Sequence, residues 1–333
     1  MRNIISVLFG FFIVTCSIFL FKQDNKKSDL PFVFKRLMDD SMNPLEFKKR
    51  IESELNELSP MRLLNDSLLF VYNDEKSAFM QYNLKGERIE GISYPFNRQG
   101  LIVDMEPQDI LFVNEGSLQS VNLQNNQINT YLFNGLEVFN ACKCEDGCPI
   151  IIGWEKNDTA NVTGFYKIQN EEPLLRKEIA HDKTEQSRFI NHLTYNGYFS
   201  KCDPYIIYVC TMMSLIYVFD LNGDFIKEIH TKEQVPNPVI SNFHDTYIYT
   251  RGQTFNTNIG VFSSQDEVYV LSYRCKEVKC VVVDKYSIKG GDYQGGFLIP
   301  EMPVRNQDIN QIIQSNDRIV FVSKQQLFLF FKE

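Results

Sequence analysis

Cysteine is the residue type whose spacing in this sequence points most directly to chemistry, and the chain contains eight cysteines. Three of them, Cys142, Cys144 and Cys148, lie close together, and an Asp-Gly pair separates the last two. An Asp-Gly pair favours a tight turn, so Cys144 and Cys148 can face each other as disulfide partners across a three-residue hairpin loop. Two alternatives stay open: a zinc site made of these three thiols and one distant cysteine, and a set of unreactive buried thiols.

Two further pairs of cysteines have spacings that suit disulfides. Cys275 and Cys280 flank the tip of a predicted hairpin, and Cys202 and Cys210 surround a predicted strand. Disulfides persist only in oxidising compartments, so these pairs predict a domain that faces out of the cytoplasm. With Cys16 set aside, seven of the eight cysteines are left, and this odd number predicts at least one free or intermolecular thiol.

No other arrangement of residues predicts an active site, a metal site or a cofactor site. The G-x-S-x-G turn of hydrolases, the H-E-x-x-H zinc motif and the Walker and dinucleotide fingerprints are absent from the sequence. His181, His192, His230 and His244 are scattered, and scattered histidines are more often packed or surface residues than ligands. A formal net charge of −8 without a basic stripe argues against nucleic acid as a partner.

Two long stretches between predicted strands, 180–204 and 231–258, are the candidates for ligand binding. Binding residues concentrate in loops on rigid scaffolds, and aromatic side chains together with arginine dominate recognition hot spots. Loops that only cover the apolar edges of a scaffold would have the same composition. The predicted binding residues are Arg188, His192, Tyr195, Tyr198, His244 and Arg251.

The elements that must position these residues are short strands, and a five-residue phrase recurs among them. It consists of an apolar or aromatic residue, a polar residue, Leu or Ile, a polar residue, and then Gly or Asn. The final Gly or Asn supplies the positive φ of a tight hairpin turn, and the alternation before it places one face inward. The five copies occupy residues 82–86, 121–125, 166–170, 219–223 and 286–290.

A strand is predicted before each copy, and a sixth unit at 317–331 has the inner strands only. Six hairpin units of similar design favour an all-β fold, a six-bladed β-propeller, over an irregular open sandwich. We expect residues 32–34 to supply the outer strand that the sixth unit lacks, which closes the ring. The strands predicted before the copies are 68–72, 109–113, 150–153, 205–210 and 267–273.

One short helix is predicted between the N-terminal region and the first strand. Asn43 can cap it, Pro44 suits its first position, and it ends at Ser59 before a proline. We expect it to lie across the propeller rather than to build it. Its apolar stripe consists of Phe47, Ile51, Leu55 and Leu58.

The first residues of the chain predict a membrane segment. Residues 4–21 form an uncharged apolar run between Arg2 and Lys22, and as a helix this run would rise about 27 Å, close to the hydrocarbon thickness of a bilayer. No A-x-A cleavage signal follows, which favours an uncleaved anchor. Lipidation at Cys16 is the rival, although Thr15 before it and the apolar residues after it fit a lipobox poorly. The predicted domains are 1–22, an anchor or signal segment; 23–62, a tether with closing strand and helix; and 63–333, the propeller.

One predicted blade carries a family resemblance. Residues 217–229, Tyr-Val-Phe-Asp-Leu-Asn-Gly-Asp-Phe-Ile-Lys-Glu-Ile, resemble a blade of the NHL/TolB-like six-bladed propellers that are abundant in Bacteroidetes. The resemblance covers most of 63–333 and is strongest in this blade. It implies an extracytoplasmic propeller, often on a lipoprotein or signal-bearing chain, for which binding is commoner than known chemistry.

Together these observations predict a membrane-tethered binding or scaffold propeller on the periplasmic or extracellular side of a bacterial envelope. Its partner would be a peptide, a protein or a glycan, and no cofactor is expected. A calcium-dependent, lactonase-like hydrolase is the alternative, and acidic side chains around a calcium ion in the central channel would distinguish it. A purely structural part of an envelope complex is a third possibility.

Overall fold

The computed structural model describes residues 34–332 except 54, 66, 96–99, 107–108, 126, 157–159, 203, 274–278 and 316. Within these residues the chain forms six four-stranded antiparallel sheets and one two-stranded sheet. The predicted all-β class and six-bladed propeller are confirmed. The predicted membrane segment at 4–21 and Cys16 lie outside the described residues, and no helix within the described part is long and apolar enough to cross a membrane.

The compact unit that contains the propeller spans Arg36–Glu333. One strand, β1 (Leu45–Glu52), precedes the first blade. Blade 1 contains β2 (Met61–Asn65), β3 (Leu68–Asn73), β4 (Ala78–Asn83) and β5 (Arg88–Pro95). Blade 2 contains β6 (Leu101–Met105), β7 (Asp109–Asn114), β8 (Ser117–Asn122) and β9 (Gln127–Tyr131). Blade 3 contains β10 (Leu136–Lys143), β11 (Pro149–Glu155), β12 (Asn161–Gln169) and β13 (Glu172–Asp182).

The second half of the ring carries two insertions. The helix α1 (Ser187–Thr194) precedes blade 4, which contains β14 (Gly197–Cys202), β15 (Tyr205–Cys210), β16 (Leu215–Asp220) and β17 (Phe225–His230). The hairpin of β18 (Ile240–Phe243) and β19 (Thr246–Tyr249) precedes blade 5, which contains β20 (Asn258–Ser264), β21 (Glu267–Ser272), β22 (Val281–Ser287) and β23 (Tyr293–Ile299). Blade 6 combines β24 (Gln311–Gln314), β25 (Arg318–Ser323) and β26 (Gln326–Lys332) with β1.

First strands of neighbouring blades, such as β6 and β10 or β20 and β24, contact each other around the centre of the ring. Because successive strands of a blade are antiparallel, the turns between first and second strands all lie on one face, which we call the lower face. The links from one blade to the next lie on the opposite, upper face. The helix α1 and the β18–β19 hairpin are both such links, so both belong to the upper face.

Hydrophobic side chains on the two surfaces of each sheet hold the ring together. The described buried residues form six clusters, and each cluster lies at one interface between neighbouring blades. In each of blades 1 to 5 the recurring phrase supplies side chains to one of these clusters. Its apolar positions alternate along the strand, so they point to the same surface of the sheet. Leu84, Leu123, Ile168 and Ile288 are buried in four of these clusters, and Leu221 packs partly against a fifth.

The five phrases end the third strands of blades 1 to 5 and begin the turns to their fourth strands, as predicted. The positive φ is found at Gly86 (80°), Asn170 (51°) and Gly223 (80°). In the fifth phrase it falls one residue later than predicted, at Gly291 (78°). Asn125, which ends the second phrase, does not have a positive φ.

The predicted helix at 43–59 is wrong, because its first half is the strand β1. This strand pairs with β26 along its whole length and is the outer strand of blade 6. The ring is therefore closed by an N-terminal strand, as expected, and Leu45–Glu52 occupies the outer position that we expected residues 32–34 to fill; residues 32 and 33 lie outside the described part of the chain. A bulge between Phe47 and Lys49 explains the misleading pattern. Phe47 packs toward blade 5 and Ile51 toward blade 1, so their four-residue spacing is not a helical stripe.

The segment before β1 runs along the outer edge of blade 5. The Asp39 N–H donates to the Gly296 carbonyl at 2.8 Å, and the Gly296 N–H donates to the Leu37 carbonyl at 2.8 Å. Arg36 inserts its guanidinium beside the fully buried Asp284, with Nε at 2.8 Å from Oδ1 and Nη2 at 2.9 Å from Oδ2. The segment thus covers a sheet edge and supplies a buried cation.

Candidate functional site

The helix α1 and the β18–β19 hairpin come together on the upper face, and we call this pair of elements the helix–hairpin platform. The rings of Phe189 and Tyr247 stack with centroids 5.3 Å apart and planes at 11°. The Tyr249 hydroxyl donates to the Leu193 carbonyl at 2.8 Å. The two long stretches that the sequence marked as binding loops therefore form one surface.

The helix is fixed to blade 3 by hydrogen bonds from its buried side. The Trp154 Nε1–H donates to the Ser187 hydroxyl at 3.1 Å. The Asn191 amide donates to Thr163 Oγ1 at 2.9 Å and to Asp182 Oδ2 at 2.8 Å. With both Ser187 and Asn191 buried, the remaining side of this eight-residue helix faces outward. The platform thus rests on a rigid support, as precise binding surfaces do.

The hairpin turns through two residues in the left-handed region, His244 (φ 49°) and Asp245 (φ 62°). Positive φ at both central positions matches a type I′ turn, and its twist suits the flanking strands. Phe243 and Thr246 form the last pair before the turn. The turn therefore presents Phe243 at the tip of the hairpin, where its side chain is 64% exposed.

Large apolar side chains are concentrated on the platform. Five of the fourteen exposed large hydrophobic residues in the described chain belong to its two elements or directly precede them. Contiguous exposed apolar surface on a soluble domain marks an interaction site more often than scattered single residues do. The five residues are Phe189, Ile190, Val239, Phe243 and Ile248.

Three of the six predicted binding residues accompany this apolar surface. Arg188 lies on α1, with its guanidinium carbon 4.3 Å from the centroid of the Phe189 ring and Nη1 3.3 Å from Glu137. His244 lies in the hairpin turn, and Arg251 follows the hairpin and is exposed.

The other three predicted residues have structural contacts. The His192 ring lies flat on Phe139, although part of the residue stays exposed. The Tyr195 carbonyl accepts a hydrogen bond from Tyr208 at 2.7 Å, and the Tyr198 hydroxyl donates to the Ile259 carbonyl at 2.7 Å. The two tyrosines therefore make hydrogen bonds that hold the end of α1 and blade 4 in place.

A second concave site runs along the centre of the ring. It is a cavity of about 780 Å³ lined by residues from the first strands of blades 1, 2, 4 and 6. Five charged residues border it: Arg62, Asp104, Glu145, Lys201 and Asp317. These charged residues were not identified from the sequence, because their convergence depends on the register of three different strands and on two turns.

Ion pairs link blades 1, 2 and 3 at the lower end of this cavity. Arg62 Nη1 is 3.2 Å from Asp104 Oδ1. Lys143 Nζ is 2.6 Å from Asp109 Oδ2 and 3.7 Å from Glu106 Oε2. Desolvation acts to lower the pKa of Lys143, but the hydrogen bond to Asp109 and the charges of the neighbouring carboxylates together raise this pKa, so the ammonium stays charged.

The described residues offer no donor set for a metal ion. Among residues 34–332, with the exceptions given above, no three His, Cys, Asp or Glu side chains lie close enough together to hold one. Asp104 in the channel already contacts Arg62. Neither the calcium site of the hydrolase alternative nor the zinc site of the Cys142, Cys144 and Cys148 alternative is formed in this part of the chain.

The thiols of Cys142, Cys144, Cys148, Cys210 and Cys280 are free in the structure. The Cys144 N–H donates to the Cys148 carbonyl at 2.9 Å, so the two residues do face each other across a three-residue loop. Their disulfide stays a prediction. Burial raises the pKa of Cys144 to about 12, against the opposing effect of Lys167, which makes this thiol a poor nucleophile as it stands.

The predicted pair Cys202 and Cys210 does not fit the fold. Cys210 pairs with Gly197, whereas Cys202 pairs with Tyr205 at the other end of the same hairpin. Five residues along a strand separate the two backbone positions by about 17 Å, far beyond disulfide reach. Cys275 lies outside the described residues, so its pairing with Cys280 stays a prediction.

No protein-family model matches the chain, and no curated protein matches it. A protein of Bacteroides fragilis named as exported is 11% identical, with 90% of this chain and 98% of that chain covered and a TM-score of 0.49. A DUF4221 family member from Bacteroides vulgatus is 11% identical, with 87% and 97% covered and a TM-score of 0.44. Regucalcin from Agrobacterium tumefaciens, a calcium-binding protein, is 10% identical, with 86% and 93% covered and a TM-score of 0.44. Likenesses at this level concern the fold, so the NHL/TolB-like assignment stays a prediction.

Proposed function

We propose that this chain is a membrane-tethered, extracytoplasmic propeller that binds a partner protein or peptide through the helix–hairpin platform. The observation that carries the proposal is the exposed apolar surface of the platform, where Phe243 is 64%, Ile248 46% and Phe189 40% exposed. Exposing these side chains to water is unfavourable by roughly 25 cal/mol per Å² of apolar surface, and a partner would remove that penalty.

The composition of the platform also suits a binding site. Arginine and aromatic residues dominate hot spots at protein interfaces, and Arg188 lies over Phe189 here. The stack of Phe189 on Tyr247 joins the helix to the hairpin and limits the ordering entropy that binding would cost. The membrane tether and the outward orientation rest on the apolar run at 4–21 and on the cysteine content.

The test is site-specific photo-crosslinking in membranes that contain the full-length chain. A photoreactive phenylalanine analogue at Phe243 should give a discrete protein adduct. The matched control is the analogue at Ile128, which is 54% exposed on the outer strand of blade 2. Phe189→Ala in the same chain should weaken the adduct about tenfold, the effect of removing one hot-spot side chain.

Equal labelling at residues 243 and 128, or an adduct that Phe189→Ala leaves unchanged, would contradict the platform as the binding surface. A glycan or lipid as the only crosslinked species would contradict a protein partner. Protease added to intact spheroplasts should digest the propeller, and full protection would contradict the outward orientation.

A further inference from the structure

The central cavity is not the symmetrical channel that six similar blades would give. The first strands of blades 4 and 6 contact each other, and a Cβ atom on Gly260 would lie only 2.2 Å from Ile312 Cδ1. Blade 5 supplies none of the described residues that line the cavity. The result is a one-sided pocket, and its volume of about 780 Å³ lies within the range of small-ligand sites.

The pocket has an open cationic group. Lys201 Nζ is 3.9 Å from Glu106 Oε1, which is too long for a hydrogen bond. Its three N–H donors are therefore free to meet an incoming acceptor. Arg62, by contrast, is already engaged with Asp104 and with the Met105 carbonyl. Arg62 therefore shapes the site, and Lys201 is the group that a ligand can use.

The same pocket has open anionic groups at its lower end. Glu145 and Asp317 line the cavity from the lower turns of blades 3 and 6, and no Lys, Arg or His of the described chain forms an ion pair with either. Glu145 is held in place by its backbone, since its N–H donates to the Leu221 carbonyl of blade 4 at 2.8 Å. Two carboxylates without an ion pair in the described chain, and one ammonium whose ion pair with Glu106 is too long for a hydrogen bond, thus line a single cavity.

We infer that this pocket binds a small zwitterionic ligand of the class of short peptides with free termini. The Lys201 ammonium would donate hydrogen bonds to the carboxylate of such a ligand, and the Glu145 and Asp317 carboxylates would accept hydrogen bonds from its ammonium group. Met61, Phe199 and Ile312 provide apolar wall for its side chains. The site lies away from the upper-face platform, so it does not depend on the proposed function.

Isothermal titration of the full-length protein in detergent tests this inference with trialanine in four forms. The forms carry free termini, an acetylated N-terminus, an amidated C-terminus, or both caps. We expect the free form to bind and each cap to weaken binding about tenfold, because each cap removes one charge-assisted hydrogen bond. No binding of the free form at millimolar concentration, or equal binding of the doubly capped form, overturns the inference.

Variants assign the two ends of the ligand. Lys201→Gln should abolish the preference for a free carboxylate, and Glu145→Gln should reduce the preference for a free amine. Lys76→Gln and Glu301→Gln, at exposed residues outside the pocket, are the matched controls and should keep both preferences. Thermal melting checks that every variant is folded. Binding that survives Lys201→Gln with its preferences intact, or maltotriose binding that replaces peptide binding, sinks the inference.

Discussion

His192 shows how packing at a single residue of the platform sets a pH dependence. Its ring stacks on Phe139 with centroids 4.5 Å apart and planes at 5°. Desolvation by the packed side chains lowers the pKa of His192 below its ordinary 6.5, although Glu137 acts in the opposite direction. The unfolded chain therefore binds a proton more readily than the folded chain, so this group makes stability rise with pH.

We predict that acidification destabilises the parent chain more than the variant His192→Phe, which keeps a stacked ring and loses the titration. The extra loss should begin as the pH falls through about 6.5, the unfolded value, and should be complete below the lowered folded value. Melting temperatures of both chains from pH 8 to pH 5 measure it. Parallel curves for the two chains would contradict the assignment.

Arg36 illustrates a buried charge whose removal is costly. Its guanidinium is the bidentate partner of Asp284, which is 0% exposed and also accepts from the neutral Ser272 hydroxyl. Arg36→Ala should lower the free energy of unfolding by about 3 to 5 kcal/mol, as measured by urea denaturation, because it leaves a buried carboxylate without its cation. Arg188→Ala, which removes an exposed ion pair with Glu137, is the control and should change it by less than about 1 kcal/mol. Similar losses for both variants would argue against this role for Arg36.

The residue-level predictions from the sequence succeeded where local chemistry decides the backbone. A turn that needs positive φ selects Gly or Asn, and Gly86, Asn170 and Gly223 have it. Those that failed, such as the Cys202–Cys210 pair, required the register of two strands. The charged residues near the ends of the strands that line the cavity, such as Lys201, could not be predicted as site residues. A lysine near the end of a strand is common and has no sequence pattern that marks it as part of a site.

At the scale of elements, β1 was missed because helical propensity and strand pairing compete in the same residues. The segment contains good helix formers, and the four-residue spacing of Phe47 and Ile51 resembles a helical stripe, although the bulge directs the two side chains to opposite surfaces of the sheet. Pairing wins because the edge of β26 carries the buried Phe328 and Phe330 and would otherwise be unpaired. Pairing with β26 therefore overrides the helix propensity of this segment. Such a tertiary contact cannot be predicted from the local sequence.

The close approach of β20 and β24 gives an element-scale prediction. Gly260→Ala places a methyl group against Ile312 and should cost about 1 to 3 kcal/mol of unfolding free energy. Ile312→Ala removes the atoms that clash, so the double variant should lose less than the sum of the two single variants. Urea denaturation of the four chains measures this coupling, and strictly additive losses would mean that the two residues do not share the space.

At the scale of the whole molecule, β1 joins blade 6 to blade 1. Ile51 is buried in the cluster between these blades, whereas its neighbour Arg50 has an exposed side chain. Ile51→Asp buries an unpaired charge and should lower the unfolding free energy by several kcal/mol, with faster hydrogen exchange in both β26 and β2. Arg50→Asp is the control and should leave exchange in β2 slow. Fast exchange confined to β1 itself would show that the stability of the ring does not depend on the contacts of β1 with β26 and blade 1.

The pairing of β1 with β26 also determines the order in which parts of the ring can form. Gln326 donates to Glu52 across 274 residues of sequence, so the closing strand is synthesised before any blade and has no partner until blade 6 exists. Contacts of such long range form late in folding. A chain cut short before blade 6 can build several blades yet leaves β1 without the edge it needs. Closure of the ring therefore requires the complete blade 6, and a chain that ends before it has an unpaired β1, an exposed strand edge that can pair with other chains.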